Sequence, residues 1–297
     1  MKKSVSLLLA GLMLCGALAG CGGNDSYGAG ETSTDDAAST GTSGAITVIS
    51  REDGSGTRSA FVELTGVEDD NGDNTTVDAE IANKTDVVLT SVAGNESSIG
   101  YVSLGSLNDT VKAVKVDGVE ATTDNVKSGD YKLSRPFNIA TKGEPTGVAK
   151  DFINFILSAD GQAIVEEEGY ITVNDAAEAF TTDGSEGQIA VGGSSSVSPV
   201  MEKLIEAYQA VNPKAKIELQ TSDSTSGMTG AIDGTFAIGM ASRELKDEEK
   251  AELTGTSIAL DGIAVVVNPN NTVEDLTMDQ IKSIYIGETT DWADVAA

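Results

Sequence analysis

Short apolar, β-branched runs alternate with helix-spaced apolar stripes from residue 45 to residue 285. Residues 45–49 (Ala-Ile-Thr-Val-Ile) predict a strand, and 58–65 a helix stopped by Gly66. Residues 67–78 are acidic and polar, a surface loop. A helix is predicted over 87–92 and strands over 99–104 and 111–116, the last followed by an Asp117-Gly118 turn. The strand at 137–140 starts after Pro136. Val148, Phe152, Phe155 and Ile156 share one face of a helix over 146–158, and a second helical pattern runs over 161–168. Residues 173–186 are polar and acidic and predict a linker. After a strand at 189–191, a helix opens at Pro199 with Val200, Leu204, Ala207 and Val211 on one face, and Pro213 stops it. Strands follow at 217–219, 237–240 and 262–267, with a short helix after 222–227. Residues 277–285 form a helix with a Thr-x-x-Gln capping box. Strands alternating with helices predict an α/β fold.

The first twenty residues stand outside this pattern. Lys2 and Lys3 precede a mostly apolar stretch too short to span a membrane, which fits a secretory signal over 1–20. The tetrad Leu18-Ala19-Gly20-Cys21 resembles a bacterial lipobox and implies cleavage before Cys21 with lipid on its sulfur. Cys15 leaves with the signal, so the mature chain has one cysteine and no internal disulfide. Residues 21–45 are a Gly/Ser/Thr/Asp-rich tether. A lipid anchor on such a tether predicts a protein at the extracytoplasmic face of the cell membrane, working in the water beside it.

Charge and composition exclude several classes. The 47 acidic and 19 basic side chains give a formal net charge of −28, which opposes nucleic acid and anionic lipid. The chain has no histidine, which removes Ser-His-Asp and Cys-His hydrolases and His-ligated metal sites. No metal or cofactor motif is present.

Three segments share one context: a strand, a Ser/Thr/Gly-rich turn, then a helix, at 46–61, 189–205 and 217–232. A helix start leaves backbone N–H groups unpaired at its positive dipole end. Glycine admits close approach, and hydroxyls rotate to donate. Three such starts converging on one oxyanion supply roughly ten donors without net charge, and Arg51 adds a guanidinium. Beyond a Debye length of about 8 Å the acidic exterior is largely screened, so it need not prevent contact-range binding. The pattern is not a P-loop, since no Gly-x-x-x-x-Gly-Lys-Ser/Thr occurs.

The segments GGSSSVSPVMEKLIEAY, DSTSGMTGAIDG, IGMASRELKDEE, DLTMDQIKSIYIGETTDW and SREDGSGTRSAF together resemble the phosphate-binding lipoprotein of the bacterial Pst-type phosphate ABC transporter. The resemblance covers nearly all of 46–170 and 187–297. It implies a two-lobed, Venus-flytrap periplasmic-binding-protein fold (type II) with phosphate in the interlobe cleft. The segment order differs from the family's: Trp292 lies near the C-terminal end of the sequence and its expected continuation begins at Ile46. A circular permutation accounts for this, with a truncated tandem pair as the other account; the old termini would join through 171–186. One lobe would be 46–132 with 269–297, and the other 133–268, crossing near Arg135 and Asn268.

Carried over residue by residue, the resemblance implies phosphate contacts from Arg51, Ser55, Gly56, Thr57, Ser195, Ser196, Ser224 and Thr225, with Ser194 in the same loop. It implies that Asp53 orients Arg51. Ser242 stands where the family has an aspartate that accepts the proton of bound phosphate, and Ser242 and the adjacent Arg243, a second cation at the site or a surface ion pair, are counted among the expected phosphate contacts. That departure puts phosphate-over-sulfate selectivity in question, and Asp223 or Asp53 could take the aspartate's part. The expected function is a non-catalytic receptor, without cofactor and monomeric, that hands inorganic phosphate to an ABC permease and ATPase. Alternatives are a sulfate or molybdate receptor, a phosphatase using Ser195 or Ser55, and a surface adhesin or sensor.

Overall fold

A computed structural model describes residues 42–295. The expected signal, Cys21 and the tether up to residue 41 lie outside the described residues. Residues 42–45, expected in the tether, are instead bound to the fold. Thr42 N–H donates to Thr272 Oγ1 at 2.6 Å, and Gly44 N–H to Asp291 at 3.1 Å.

The first half of the chain forms β1 (Thr47–Arg51), α1 (Gly56–Thr65), the hairpin β2 (Glu68–Asp69) and β3 (Gly72–Asp73), β4 (Glu80–Ala82), α2 (Thr85–Gly94) and β5 (Ser98–Ser103). Then come β6 (Lys112–Ala113), β7 (Lys115–Val116) and α3 (Thr123–Ser128). The expected strand over 111–116 is therefore broken into two short pieces. Next are β8 (Ser134–Thr141), α4 (Gly147–Ile156), α5 (Ala159–Glu167), β9 (Gly187–Ser194), α6 (Ser198–Val211), β10 (Ala215–Ser222), α7 (Ser224–Ile232) and β11 (Ile238–Ala241). The last elements are α8 (Asp247–Lys250), β12 (Thr254–Val267), β13 (Asp275–Leu276), α9 (Met278–Tyr285) and α10 (Trp292–Val295). The capping box at Thr277 and Gln280 is formed.

The main sheet is mixed, in the order β10-β9-β11-β8-β12-β5-β1-β4, with β6 beside β12. β12 ties it together. Its first part pairs antiparallel with β8, and from Ile263 onward it pairs with β5. Side chains alternate along that second part. Ile263, Val265 and Val267 enter a core with α1 and α9, while Ala264 and Val266 enter a core with α2. The other half has its own core, built from Phe137, Phe152, Val200 and Leu204 among others. The chain leaves the first core between Leu133 and Phe137 and returns to it between Ala259 and Ile263, with Ile171 alone reaching the first core in between. The return precedes Asn268, whose side-chain amide donates to Val92 and Ala93 carbonyls instead.

β8 begins before Pro136, contrary to expectation. β11 ends opposite Asn138, so no partner on that side needs the N–H that proline lacks. The expected linker at 173–186 is a fastened strap. Phe180 packs edge-on against Phe155, and the buried Asp151 carboxylate accepts from Thr182 Oγ1 (2.7 Å), Asp183 N–H (3.0 Å) and Tyr208 OH (2.9 Å). The two described ends of the fold lie side by side: Ile46 N–H donates to Thr290 O at 2.8 Å and Trp292 N–H to Gly44 O at 3.0 Å.

Candidate functional site

The site lies where the ends of β1, β9 and β11 meet the starts of α1, α2, α6 and α7. Arg51 ends β1. Its backbone N–H donates to Tyr101 OH at 3.1 Å, and the Ser50 hydroxyl contacts the same oxygen at 2.9 Å. Tyr101 is stacked on Phe61 with ring centroids 4.0 Å apart, so an aromatic core fixes the base of Arg51. Burial raises the Tyr101 pKa against the pull of Ser50 and the Arg51 N–H, which keeps it a neutral hydrogen-bonding phenol.

The Arg51 side chain is buried. Glu52 takes it in a bidentate grip, with Nε 2.7 Å and Nη2 2.8 Å from the carboxylate oxygens. The remaining donor capacity points across the cleft to Ser195 Oγ at 3.1 Å and, within the same half, to Thr85 Oγ1 at 3.4 Å. The orienting role expected of Asp53 therefore falls to Glu52. The Asp53 side chain is 99% exposed and pairs with Arg58 at 3.2 Å. Its position in the turn directs it to solvent, whereas Glu52 lies alongside the guanidinium.

Ser55 caps α1, its hydroxyl accepting from Arg58 N–H at 3.3 Å. Gly56 sits against the other half so closely that a Cβ there would overlap Ser224 Oγ and come within 2.8 Å of Ser242 Oγ. Thr57 Oγ1 meets Ser196 Oγ at 2.9 Å. Thr85, at the start of α2, is within 3.3 Å of Ser195 Oγ and 3.2 Å of Ser196 Oγ. Ser194 Oγ donates to Ser242 Oγ at 2.9 Å, and Ser242 N–H donates to Ser224 Oγ at 3.0 Å. Arg51, Thr57, Thr85, Ser194, Ser195, Ser196, Ser224 and Ser242 thus form one buried cluster. α2 and α6 start without a side-chain cap, so no local side chain competes for their first-turn donors.

Thr225, Arg243, Asp53 and Asp223 stand apart from this cluster. Thr225 donates through both its N–H (3.1 Å) and its hydroxyl (3.2 Å) to Gly54 O. Arg243 is held by Glu249 at 2.7 and 2.8 Å and reaches Thr225 Oγ1 at 3.2 Å. Burial pushes Glu249 up, but hydrogen bonds from Arg243 and Lys246 N–H outweigh it and hold the carboxyl below its usual range. Asp223 caps α7, accepting from Ser226 N–H at 2.8 Å, so its carboxylate is occupied outside the cluster.

Thr85 and Glu52 are members of the candidate site that the sequence reading missed. β4 is only three residues long and the turn before Thr85 has no glycine, which hid a fourth strand–turn–helix unit. A Lys-Thr-Asp opening before the apolar run at 87–89 was its available signal.

The cluster combines one guanidinium with hydroxyls that now contact one another and can rotate toward a shared acceptor-rich ligand. No carboxylate reaches its serine and threonine hydroxyls among the described residues. No grouping of His, Cys, Asp and Glu able to hold a metal ion occurs among the described residues.

Residues 24–160 and 178–297 match the family model described as PBP superfamily domain. Phosphate-binding protein PstS 2 of Streptococcus agalactiae is 51% identical over 99% of this chain and 98% of its own length. The chain belongs to the PBP superfamily and, within it, to the PstS proteins. A crystal structure of a phosphate ABC transporter phosphate-binding protein from Streptococcus pneumoniae matches with a TM-score of 0.69 at 44% identity, covering 85% of this chain and all of that one. Phosphate-binding protein PstS of Bacillus subtilis is 37% identical over 44% of this chain and 42% of its own length. The α/β fold with its mixed sheet is thus that of PBP-superfamily PstS proteins, and no described helix is long and apolar enough to cross a membrane.

Proposed function

We propose that this protein captures inorganic phosphate between its lobes and delivers it to an ABC permease and its ATPase. The observation that carries this reading is the meeting of Arg51 with Thr85, Ser195 and Ser196 inside a buried hydroxyl cluster, at helix starts from both halves. A tetrahedral oxyanion offers acceptors in every direction that these donors face. Closing the lobes removes water from around it, and the low-dielectric surroundings strengthen each charge-assisted bond. In the proposed ligand set, Arg51 supplies the charge, Thr57, Thr85, Ser195, Ser196 and Ser224 the hydroxyls, and Gly56 the close backbone approach. Ser55 acts by capping α1.

The reading is non-catalytic. A serine nucleophile needs a neighbouring base, and Ser195 has Arg51 and Thr85 beside it while the Ser55 hydroxyl is engaged as a cap. The anchor belongs to the same proposal: Cys21 carries the lipid, and the monomeric receptor works at the extracytoplasmic face. A reordered chain relative to part of the family is also proposed. Its support is the adjacency of residues 44–46 to 290–292, together with full-length similarity to the streptococcal relative and only partial similarity to the Bacillus one.

One observation favours a second reading. Ser242 contributes a hydroxyl, shared with Ser194 and Ser224, where the resemblance leads one to expect a proton-accepting carboxylate. Fully ionised sulfate would then meet no repulsion at that position. Calorimetric titrations with phosphate, sulfate and molybdate separate the readings. Phosphate capture predicts saturable phosphate binding well above sulfate; equal affinities would reassign the receptor to oxyanions in general.

A further inference from the structure

Two sets of contacts cross the cleft, and they differ in kind. The inner set joins hydroxyls and the Arg51 guanidinium, all of which can turn to a ligand. The outer set converges on one backbone carbonyl, that of Gly54, in the turn between β1 and α1. Thr225, at the start of α7 on the opposite lobe, gives Gly54 O both its N–H (3.1 Å) and its hydroxyl proton (3.2 Å). Gly54 has φ +86°, and a Cβ there would lie 2.6 Å from Asp223 Oδ1, so the turn approaches α7 as only glycine allows.

Behind Thr225 stands a chain of charged groups. Arg243 Nη2 donates to the Thr225 hydroxyl oxygen at 3.2 Å. Its Nη1 and Nη2 are gripped by Glu249 at 2.7 and 2.8 Å, and Nη1 also donates to Glu244 O at 2.9 Å. Glu249 is itself fixed by Lys246 N–H at 2.8 Å at the start of α8. A hydroxyl has one proton and two lone pairs. With a guanidinium on one lone pair, the Thr225 proton is directed away from Arg243, toward Gly54 O. The charged donor also polarises the hydroxyl and strengthens the bond it makes.

We propose that Arg243 is a positioning residue for lobe closure rather than an anion ligand: through Thr225 it clasps Gly54 and sets how long the captured anion stays. This rests on the phosphate-capture reading. The clasp forms only when the lobes meet, so it acts on release and leaves first encounter untouched. It also gives Arg243 and Thr225, both expected among the anion ligands, a joint role outside the cage.

The test is stopped-flow uptake and release of inorganic phosphate by the full chain and by Thr225→Val, Thr225→Ser, Arg243→Lys and the Thr225→Val/Arg243→Lys double variant. Thr225→Val and Arg243→Lys should each speed release roughly three- to tenfold, the range for losing one such hydrogen bond, with association unchanged. Thr225→Ser should release like the unaltered protein. The double variant should release no faster than Thr225→Val, because the two act through one bond. Slower association in Arg243→Lys, multiplied effects in the double variant, or unaltered release throughout would overturn the clasp. Thr225→Val keeps the Arg243–Glu249 pair and decides the matter even where Arg243→Lys does not fold. Absence of phosphate binding by the unaltered chain would instead remove the capture reading. Amide exchange in the segment containing Thr225 then decides the clasp: faster exchange in Arg243→Lys supports it and equal exchange overturns it.

Discussion

At the strand crossing, Arg135 of β8 faces Asp261 of β12 across the ladder, both fully buried, with Nε and Nη2 at 3.2 and 3.0 Å from one carboxylate oxygen. Ser103 of β5 donates to the other oxygen at 2.9 Å, and the guanidinium lies 5.5 Å over the Phe137 ring. At the cleft, Arg51 reaches the opposite half only through a neutral hydroxyl, Ser195 Oγ, at 3.1 Å. Both regions bring an arginine from one element to groups on another. The crossing gives its charge a fixed partner that no ligand can replace. The cleft holds its charge ready, oriented by Glu52 from the same turn, with exchangeable partners beyond. Stability and binding should therefore be separable: damage to the crossing unfolds the protein, and damage to the cleft leaves a folded protein that has lost its ligand.

The largest expected effect is at the crossing. Asp261→Ala leaves the Arg135 charge buried and unpaired, a loss of about 3–5 kcal/mol in unfolding free energy by urea denaturation. Phosphate affinity of the remaining folded protein should be little changed. A loss of affinity without a loss of stability would collapse the distinction between the two regions. In the cleft, Thr85→Val should weaken phosphate binding roughly three- to tenfold while the urea midpoint stays in place. Unaltered affinity would remove α2 from the site.

Two smaller effects sharpen the same contrast. Burial raises the Asp261 carboxyl to about 6, against the opposing pull of Arg135 and Ser103. The folded protein then keeps this proton over pH about 4 to 6, where the unfolded chain has lost it. The contribution of this group to stability falls as pH rises through that window and is level above it. Urea midpoints of Asp261→Asn measured at both ends of the window should lack this slope when compared with the unaltered protein; parallel curves would contradict it. Last, Glu52→Gln should weaken phosphate binding several-fold by loosening Arg51, on the order of one charged hydrogen bond. Asp53→Asn should leave it unchanged. The reverse result would return the orienting role to Asp53.

The sequence carried the cleft better than the crossing. Ser55, Thr57, Ser195, Ser196 and Ser224 sit in turns whose composition is written locally, and Gly66 and the Thr277–Gln280 box mark helix ends that formed. The first part of β12 was invisible because Thr254, Gly255, Thr256 and Ser257 have no strand-like apolar pattern; pairing with β8 makes them a strand. Phe180 was one aromatic in a polar stretch, and only its packing on Phe155 turns a linker into a strap. Asp53 and Glu52 are adjacent, and which one meets Arg51 depends on the direction the chain takes after β1. Thr85 entered the site through a helix start that no glycine announced. In each case the missing information was long-range, a partner supplied by another segment.

The central claim is that Arg51 and the surrounding hydroxyls hold inorganic phosphate. Isothermal titration of the unaltered chain and of Arg51→Ala with phosphate tests it most directly. The account predicts one saturable phosphate site per chain, weakened roughly a hundredfold or more in Arg51→Ala, with both proteins equally folded. Equal phosphate affinity in the two proteins, or no phosphate binding by the unaltered chain, would contradict it.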